Sequence, residues 1–186
     1  QINCDILKKT IQKEFLIMGF IKDIKNTQLL KKIYGENAKA QLDRYEKIQD
    51  KFEELFGEGE ISFFSTSGRS EIIGNHTDHN HGCVMAAGIN LDAVAAVRKT
   101  ADNKVYFVSE GYNDINVIDL NDLSLQIRER GTTNSLIRGI AYHMKEDLNF
   151  NIGGFKAYVQ SDVFRGSGLS SSAAIEVLIY TIFNYL

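Results

Sequence analysis

Two segments of this sequence gather side chains that can do chemistry: GRSEIIGNHTDHNHG at residues 68–82 and GSGLSSSAA at residues 166–174. In the first, an arginine, an aspartate and three histidines lie between glycines. Arg69 stays charged at any relevant pH, so it can favour an ionised hydroxyl or stabilise charge developing on a transferred phosphoryl group. Asp78 can accept hydrogen bonds from two neighbouring sugar hydroxyls, and His76 can donate or accept one more. The same residue types admit a rival reading. His76, Asp78, His79 and His81 offer imidazole and carboxylate donors of the kind that bind zinc or nickel, although neither strand nor helix spacing lines them up. A solvated polar turn with Arg69 in a surface ion pair is the plainest alternative.

In the second segment, glycines let the backbone approach a ligand closely. A helix starting near Ser170 adds unsatisfied N–H groups and the positive end of its dipole. Ser170, Ser171 and Ser172 supply three successive hydroxyls, donors to phosphate and ligands for magnesium. Together these features describe a triphosphate cradle without the lysine of the Walker-type loop. A serine and glycine connector, or a helix whose serine cap merely follows a glycine turn, is the competing explanation.

Both segments need a scaffold. Leu42, Tyr45, Ile48, Phe52 and Leu55 recur every three or four residues and predict an amphipathic helix over Ala38 to Phe56, ended by Gly57 and Gly59. Ile6 to Met18 and Thr27 to Tyr34 read as shorter helices ahead of it. The period then changes, and residues 61–65, 88–97, 104–108 and 115–118 read as strands, with Asp102, Asn103 and Gly111 at turns. The first polar segment is therefore expected as a loop after a strand that ends at Ser65. Helical spacing returns from Leu136 to Leu148, a strand follows at residues 155–160, and Ser170 to Leu186 forms the last helix. The result is a helical lead-in followed by an α+β domain.

Composition narrows the partners. Charged residues make up 24% and the formal net charge is -3, so no basic surface favours nucleic acid and a small ligand is expected instead. Cys4 and Cys83 lie far apart without metal-ligand spacing, which fits plain thiols in a reducing compartment. The longest apolar run, Ala173 to Leu186, is interrupted by Glu176 and is too short to span a bilayer. A cytoplasmic location with no membrane partner follows as the expectation. The chain opens on glutamine and its final apolar helix stops without a cap, so it reads as a fragment.

The two motifs together resemble the signatures of the galactokinases, members of the GHMP kinase superfamily, in both order and separation. The resemblance runs from about Phe56 to the end. It implies a mixed β-sheet backed by helices in a GHMP kinase amino-terminal domain over residues 58–186, preceded by a helical extension over residues 1–57. It also implies an active site in the cleft against a carboxy-terminal half of the same enzyme. Carried over residue by residue, it places Asn75, His76 and Asp78 at the sugar hydroxyls and gives Arg69 the catalytic role of assisting phosphoryl transfer. Gly166, Ser167, Gly168, Leu169, Ser170, Ser171 and Ser172 would wrap the ATP phosphates, with Ser172 as the Mg2+ ligand.

The activity implied for a full-length parent is phosphorylation of the anomeric hydroxyl of galactose. Departures from the pattern matter too. Ser67 stands where proline is usual, and Glu71 and Asn75 stand where asparagine and glutamate are common. Asn75 can still hydrogen-bond a sugar hydroxyl but brings no charge, so the choice among related sugars can differ. A kinase for a relative such as N-acetylgalactosamine, or a galactose and ATP sensor without turnover, are the alternatives. The family's later catalytic aspartate and third glycine-rich motif are not found, so the isolated chain is expected to be inactive.

Overall fold

The computed structural model describes residues 27–74, 81–112, 114–164 and 166–186. The helix expected at Ile6 to Met18 lies outside them. Helix α1, Thr27–Tyr34, leads through a short 3-10 turn into α2, Ala38–Phe56. Two long strands follow, β1 at Ser62–Ile73 and β2 at Met85–Lys99, then β3 at Lys104–Ser109 and β4 at Asn116–Asp119. Helix α3, Thr133–Tyr142, precedes β5 at Phe155–Ser161, and α4 spans Ser171–Tyr185. The five strands form one sheet in the order β1-β2-β5-β3-β4, antiparallel throughout except for the parallel pair of β3 and β5.

Alternation along the strands explains the layers. Ala93, Ala95 and Val97 of β2 point into one apolar cluster with Ile137 of α3 and Leu178, Ile179 and Ile182 of α4. Val94 and Ala96 point the other way, against Tyr45, Ile48 and Phe52 of α2. Because helices cover both faces, β2 reads from Ala93 to Val97 as an unbroken apolar run and not as an alternating one. The helical lead-in thus packs directly on the sheet. Each fully buried side chain of the size of Phe52 or Phe107 contributes roughly 1.5–3 kcal/mol of transfer free energy to that packing.

Helix α2 stops where its sequence says it should. Gly57 adopts φ 82° and its N–H bonds to Glu53 O at 2.8 Å. Arg98 of β2 then reaches the helix end, donating to Phe56 O at 3.4 Å and Gly57 O at 3.1 Å while its guanidinium lies 5.0 Å from the Phe52 ring centre.

Two expectations need correction. The segment starting at Gly68 is not a loop from its first residue, because β1 continues past Ser65 to Ile73 and pairs with Met85 to Gly88. Shifts of register between Ser67 and Arg69 and between Glu71 and Ile73 let the strand carry this glycine and polar sequence. The helix expected to run regularly to Leu148 instead widens into a π-turn over His143–Asp147, which seats Met144 in the core. Among the described residues, no helix is long and apolar enough to cross a membrane.

Candidate active site

Eighty-three residues separate the two motifs in sequence, yet they touch in space. The backbone N–H of Arg69 donates to the carbonyl of Leu169 at 3.1 Å. One residue earlier, Gly68 lies so close to the same carbonyl that a β-carbon there would be 3.1 Å from it, and 3.0 Å from the side chains of Ile89 and Val163. Thr66, buried on β1, donates its hydroxyl to Ala174 O at 2.8 Å and so fastens the first turn of α4 to the same strand. Strand β1 is therefore the rail against which the 166–174 segment is laid.

The backbone of that segment is unusual in the way its sequence requires. Gly166 and Gly168 both have φ 75°, and Ser170 adopts the left-handed conformation at φ 58° and ψ 46°. A β-carbon on either glycine would meet nothing within 4 Å, so the dihedral angles, not crowding, call for glycine there. Ser170 holds the same region with a side chain, an uncommon state that costs of order 1 kcal/mol and clusters at functional sites. Ser167 closes a turn by donating its hydroxyl to Phe164 O at 2.6 Å. The helix begins at Ser171, one residue later than expected, and no side chain caps it. Its first N–H groups and its dipole are therefore directed at whatever occupies the loop.

Ser171 and Ser172 border a cavity of about 690 Å³. Its lining also includes Thr132 and Thr133 at the start of α3, and Glu110 just past the end of β3. Two helix N-termini thus face one space, which suits a ligand bearing several negative charges. The Thr132 hydroxyl caps α3 by accepting from Ser135 N at 3.4 Å. Sequence reasoning passed over these residues. The signal was present as Gly131, Thr132 and Thr133 ahead of a helical period, the usual mark of a helix start. The oxygen donors among the residues lining the cavity, the Ser172 hydroxyl and the Glu110 carboxylate, fit Mg2+ held mainly by phosphates and water, the manner in which that ion is commonly bound.

Arg69 lies on β1 opposite Gly88, with its side chain about half exposed. Its guanidinium pairs with Glu71 at 3.0 Å, because residues two apart on a strand share a face. Asn75, His76 and Asp78 lie outside the described residues, as does His79. The residues that flank them are fixed closely: Gly74 has φ 89°, and a β-carbon on it would fall 2.3 Å from Cys83 O. The two limbs of the β1–β2 connection thus meet at its base, on the hairpin that also carries Arg69. Among the described residues no group of three or more histidine, cysteine or acidic side chains could hold a metal.

A buried polar cluster supports this end of the sheet. Asp92 of β2 accepts from Arg44 of α2 and, at 2.6 Å, from Tyr34. Tyr34 and Tyr45 share a 2.9 Å hydrogen bond. Burial pushes the Tyr45 phenol up to about 12, and burial raises that of Tyr34 further, helped by Tyr45 and Asp92.

Both motifs fall within models of known protein families. Residues 50–99 match the family model described as the galactokinase galactose-binding signature, and residues 135–186 match the GHMP kinases N terminal domain. A galactokinase of Ligilactobacillus salivarius is 36% identical over 135 residues, 73% of this chain and 35% of that protein. One from Streptococcus thermophilus is 32% identical over 137 residues, again 73% and 35%. The crystal structure of Lactococcus lactis galactokinase complexed with galactose superposes with a TM-score of 0.66 at 30% identity, covering 73% of this chain and 35% of that one. Methanococcus jannaschii mevalonate kinase shares the fold, with a TM-score of 0.53 at 18% identity over 66% of this chain and 40% of its own. The chain thus spans about a third of the length of the curated relatives it matches. With the galactose-binding signature on its β1–β2 hairpin and the GHMP domain's loop laid against β1, the chain belongs to the galactokinase family of the GHMP kinases.

Proposed function

We propose that a full-length protein containing this chain transfers the γ-phosphoryl group of ATP to the anomeric hydroxyl of galactose. The sugar oxygen attacks γ-phosphorus, the bond to the ADP oxygen breaks, and the hydroxyl proton passes to a base. The observation that carries this reading is the Arg69 N to Leu169 O hydrogen bond, which puts the sugar-signature strand and the phosphate loop in contact beside the cavity.

Each residue then has a task. Gly166 to Ser172 hold the triphosphate by backbone N–H groups and hydroxyls. His76 and Asp78, with Asn75, orient the sugar. Arg69 supplies fixed positive charge beside the transferred group, and its pairing with Glu71 sets where that charge sits before substrate arrives. Mg2+, when bound through Ser172, neutralises phosphate charge. Asp162 is a poor candidate for the base, since its carboxylate is engaged by Arg44 at 3.2 Å and by Gln160 at 2.9 Å. The isolated chain is accordingly proposed to bind without turning over.

A coupled assay on the full-length protein tests the proposal. Galactose-dependent ADP release is expected, lost in Arg69→Ala and in Asp78→Ala; normal turnover by Asp78→Ala would rule out the sugar site. Because Asn75 removes a charge, N-acetylgalactosamine belongs in the same assay, and a preference for it would reassign the sugar while keeping the reaction.

A further inference from the structure

We propose that Arg44 is a positioning residue for the phosphate loop, acting through Asp92 and Asp162 at the point where the loop leaves the sheet. The proposal rests on the kinase reading above. Arg44 projects from α2 and places Nη1 2.6 Å from Asp92 Oδ1 and 3.2 Å from Asp162 Oδ2. Nη2 donates to the Asp92 carbonyl at 3.1 Å, and Nε donates to the side-chain oxygen of Gln160. One planar guanidinium thus grips two strands at once, a reach that a lysine's single ammonium does not reproduce.

Asp92 occupies a junction. On one side it pairs with Ser67 of β1, two residues before Arg69. On the other its carbonyl accepts from Asp162 N at 2.9 Å, just past the last regular β2–β5 pair, Ala93 with Ser161. The next residue, Val163, is the buried side chain that packs near Gly68 under the loop. Beyond the ladder, the course of residues 162–163 is fixed by Arg44, by the Gln160 amide on Asp162 and by the Ser161 hydroxyl, which accepts from Val163 N at 3.2 Å.

The cluster is hard to explain as a stabilising device. The Arg44 and Asp92 side chains are each 11% exposed, and buried ion pairs give little net stability over apolar replacements. Helix α2 already has an apolar face, Tyr45, Ile48 and Phe52, to bind it to the sheet. What the fork adds is direction: it fixes both carboxylates, and with them the angle at which the backbone turns toward Gly166.

The test is steady-state kinetics of the full-length protein with Arg44→Lys and Asp162→Asn, together with equilibrium binding of a non-hydrolysable ATP analogue. A merely structural role lowers the active fraction, and so kcat, with both KM values unchanged. Positioning predicts a KM for ATP raised about tenfold with the KM for galactose unchanged within about twofold. Arg44→Lys should retain more nucleotide affinity than Arg44→Met. Asp162→Asn, at a partly exposed site, keeps the test open if the Arg44 variants fail to fold. Unchanged analogue affinity in Asp162→Asn, or a fall in kcat alone, overturns the inference. Wild-type protein that binds no analogue overturns the kinase reading instead.

Discussion

Replacing Gly68 with alanine probes the seat of the phosphate loop directly. The added methyl would lie 3.0 Å from Ile89 Cδ1, 3.0 Å from Val163 Cγ1 and 3.1 Å from Leu169 O. Comfortable separations between carbon atoms are about 3.5–4.0 Å, so all three neighbours must give way. Ile89 Cδ1 is the end of a flexible side chain and can rotate aside. Val163 is β-branched and buried, and Leu169 O belongs to the backbone and accepts from Arg69 N. The loop must therefore move. Overpacking of this kind costs about 1–3 kcal/mol, from which the smaller unfolded-state entropy of alanine removes about 0.5 kcal/mol. With a urea dependence of about 2 kcal/mol per molar, the net loss of about 0.5–2.5 kcal/mol should lower the unfolding midpoint by roughly 0.25–1.25 M.

Gly139→Ala is the matched control. Gly139 sits exposed on α3 with nothing within 4 Å of its added carbon, so the same change should raise stability by about 0.5–1 kcal/mol. Nucleotide affinity should fall in the first variant and stay constant in the second. A Gly68→Ala midpoint equal to or above wild type would refute the packing of loop on strand from which the site is built.

Further outcomes follow from single contacts. Thr66→Val keeps shape but removes the hydroxyl bonded to Ala174 O, and should cost about 1 kcal/mol in urea unfolding; a change near zero would mean that β1 does not anchor α4. Gly154→Ala would set a β-carbon 2.6 Å from Lys104 O and 2.7 Å from Lys104 N, both backbone, so loss of the folded state is expected and a protease-resistant variant would contradict the β3–β5 geometry. Alkaline unfolding reports on Tyr45. Its phenol ionises near 10.0 when unfolded and only at about 12 when folded, so the unfolded chain loses its proton first and stability falls as pH rises from about 10 to 12. Tyr45→Phe should flatten that fall in a pH series of urea midpoints, and an unchanged slope would remove the tyrosine from the account.

The sequence disclosed elements wherever a single period ran long enough. Helix α2 ends at the predicted residues because its apolar spacing is regular and Gly57 closes it. Strands β3 and β5 differ from expectation by one residue each, since their apolar runs are bounded by turns. Strand β1 was only half legible: after Ser65 its residues are glycine, serine and charged types, and they stay extended because β2 runs alongside to pair with them. The contact of Arg69 with Leu169 depends on tertiary packing that no local pattern encodes. The same is true of Asp92, which in sequence is one acidic residue inside an apolar run and in the fold ties α1, α2 and β1 to the residue just past β5.

The parallel pairing of β3 with β5 bears on how the chain assembles as it leaves the ribosome. Strand β5 is the last of the five to be synthesised, yet it lies in the middle, bonded to β2 on one edge and β3 on the other. Until Phe155 to Ser161 have emerged, the earlier strands make two separate hairpins with exposed inner edges, open to pairing with other nascent chains. The alanine and valine run of β2, sealed in the finished protein, is then the most hazardous stretch of the polypeptide, and its protection waits on a strand about sixty residues downstream.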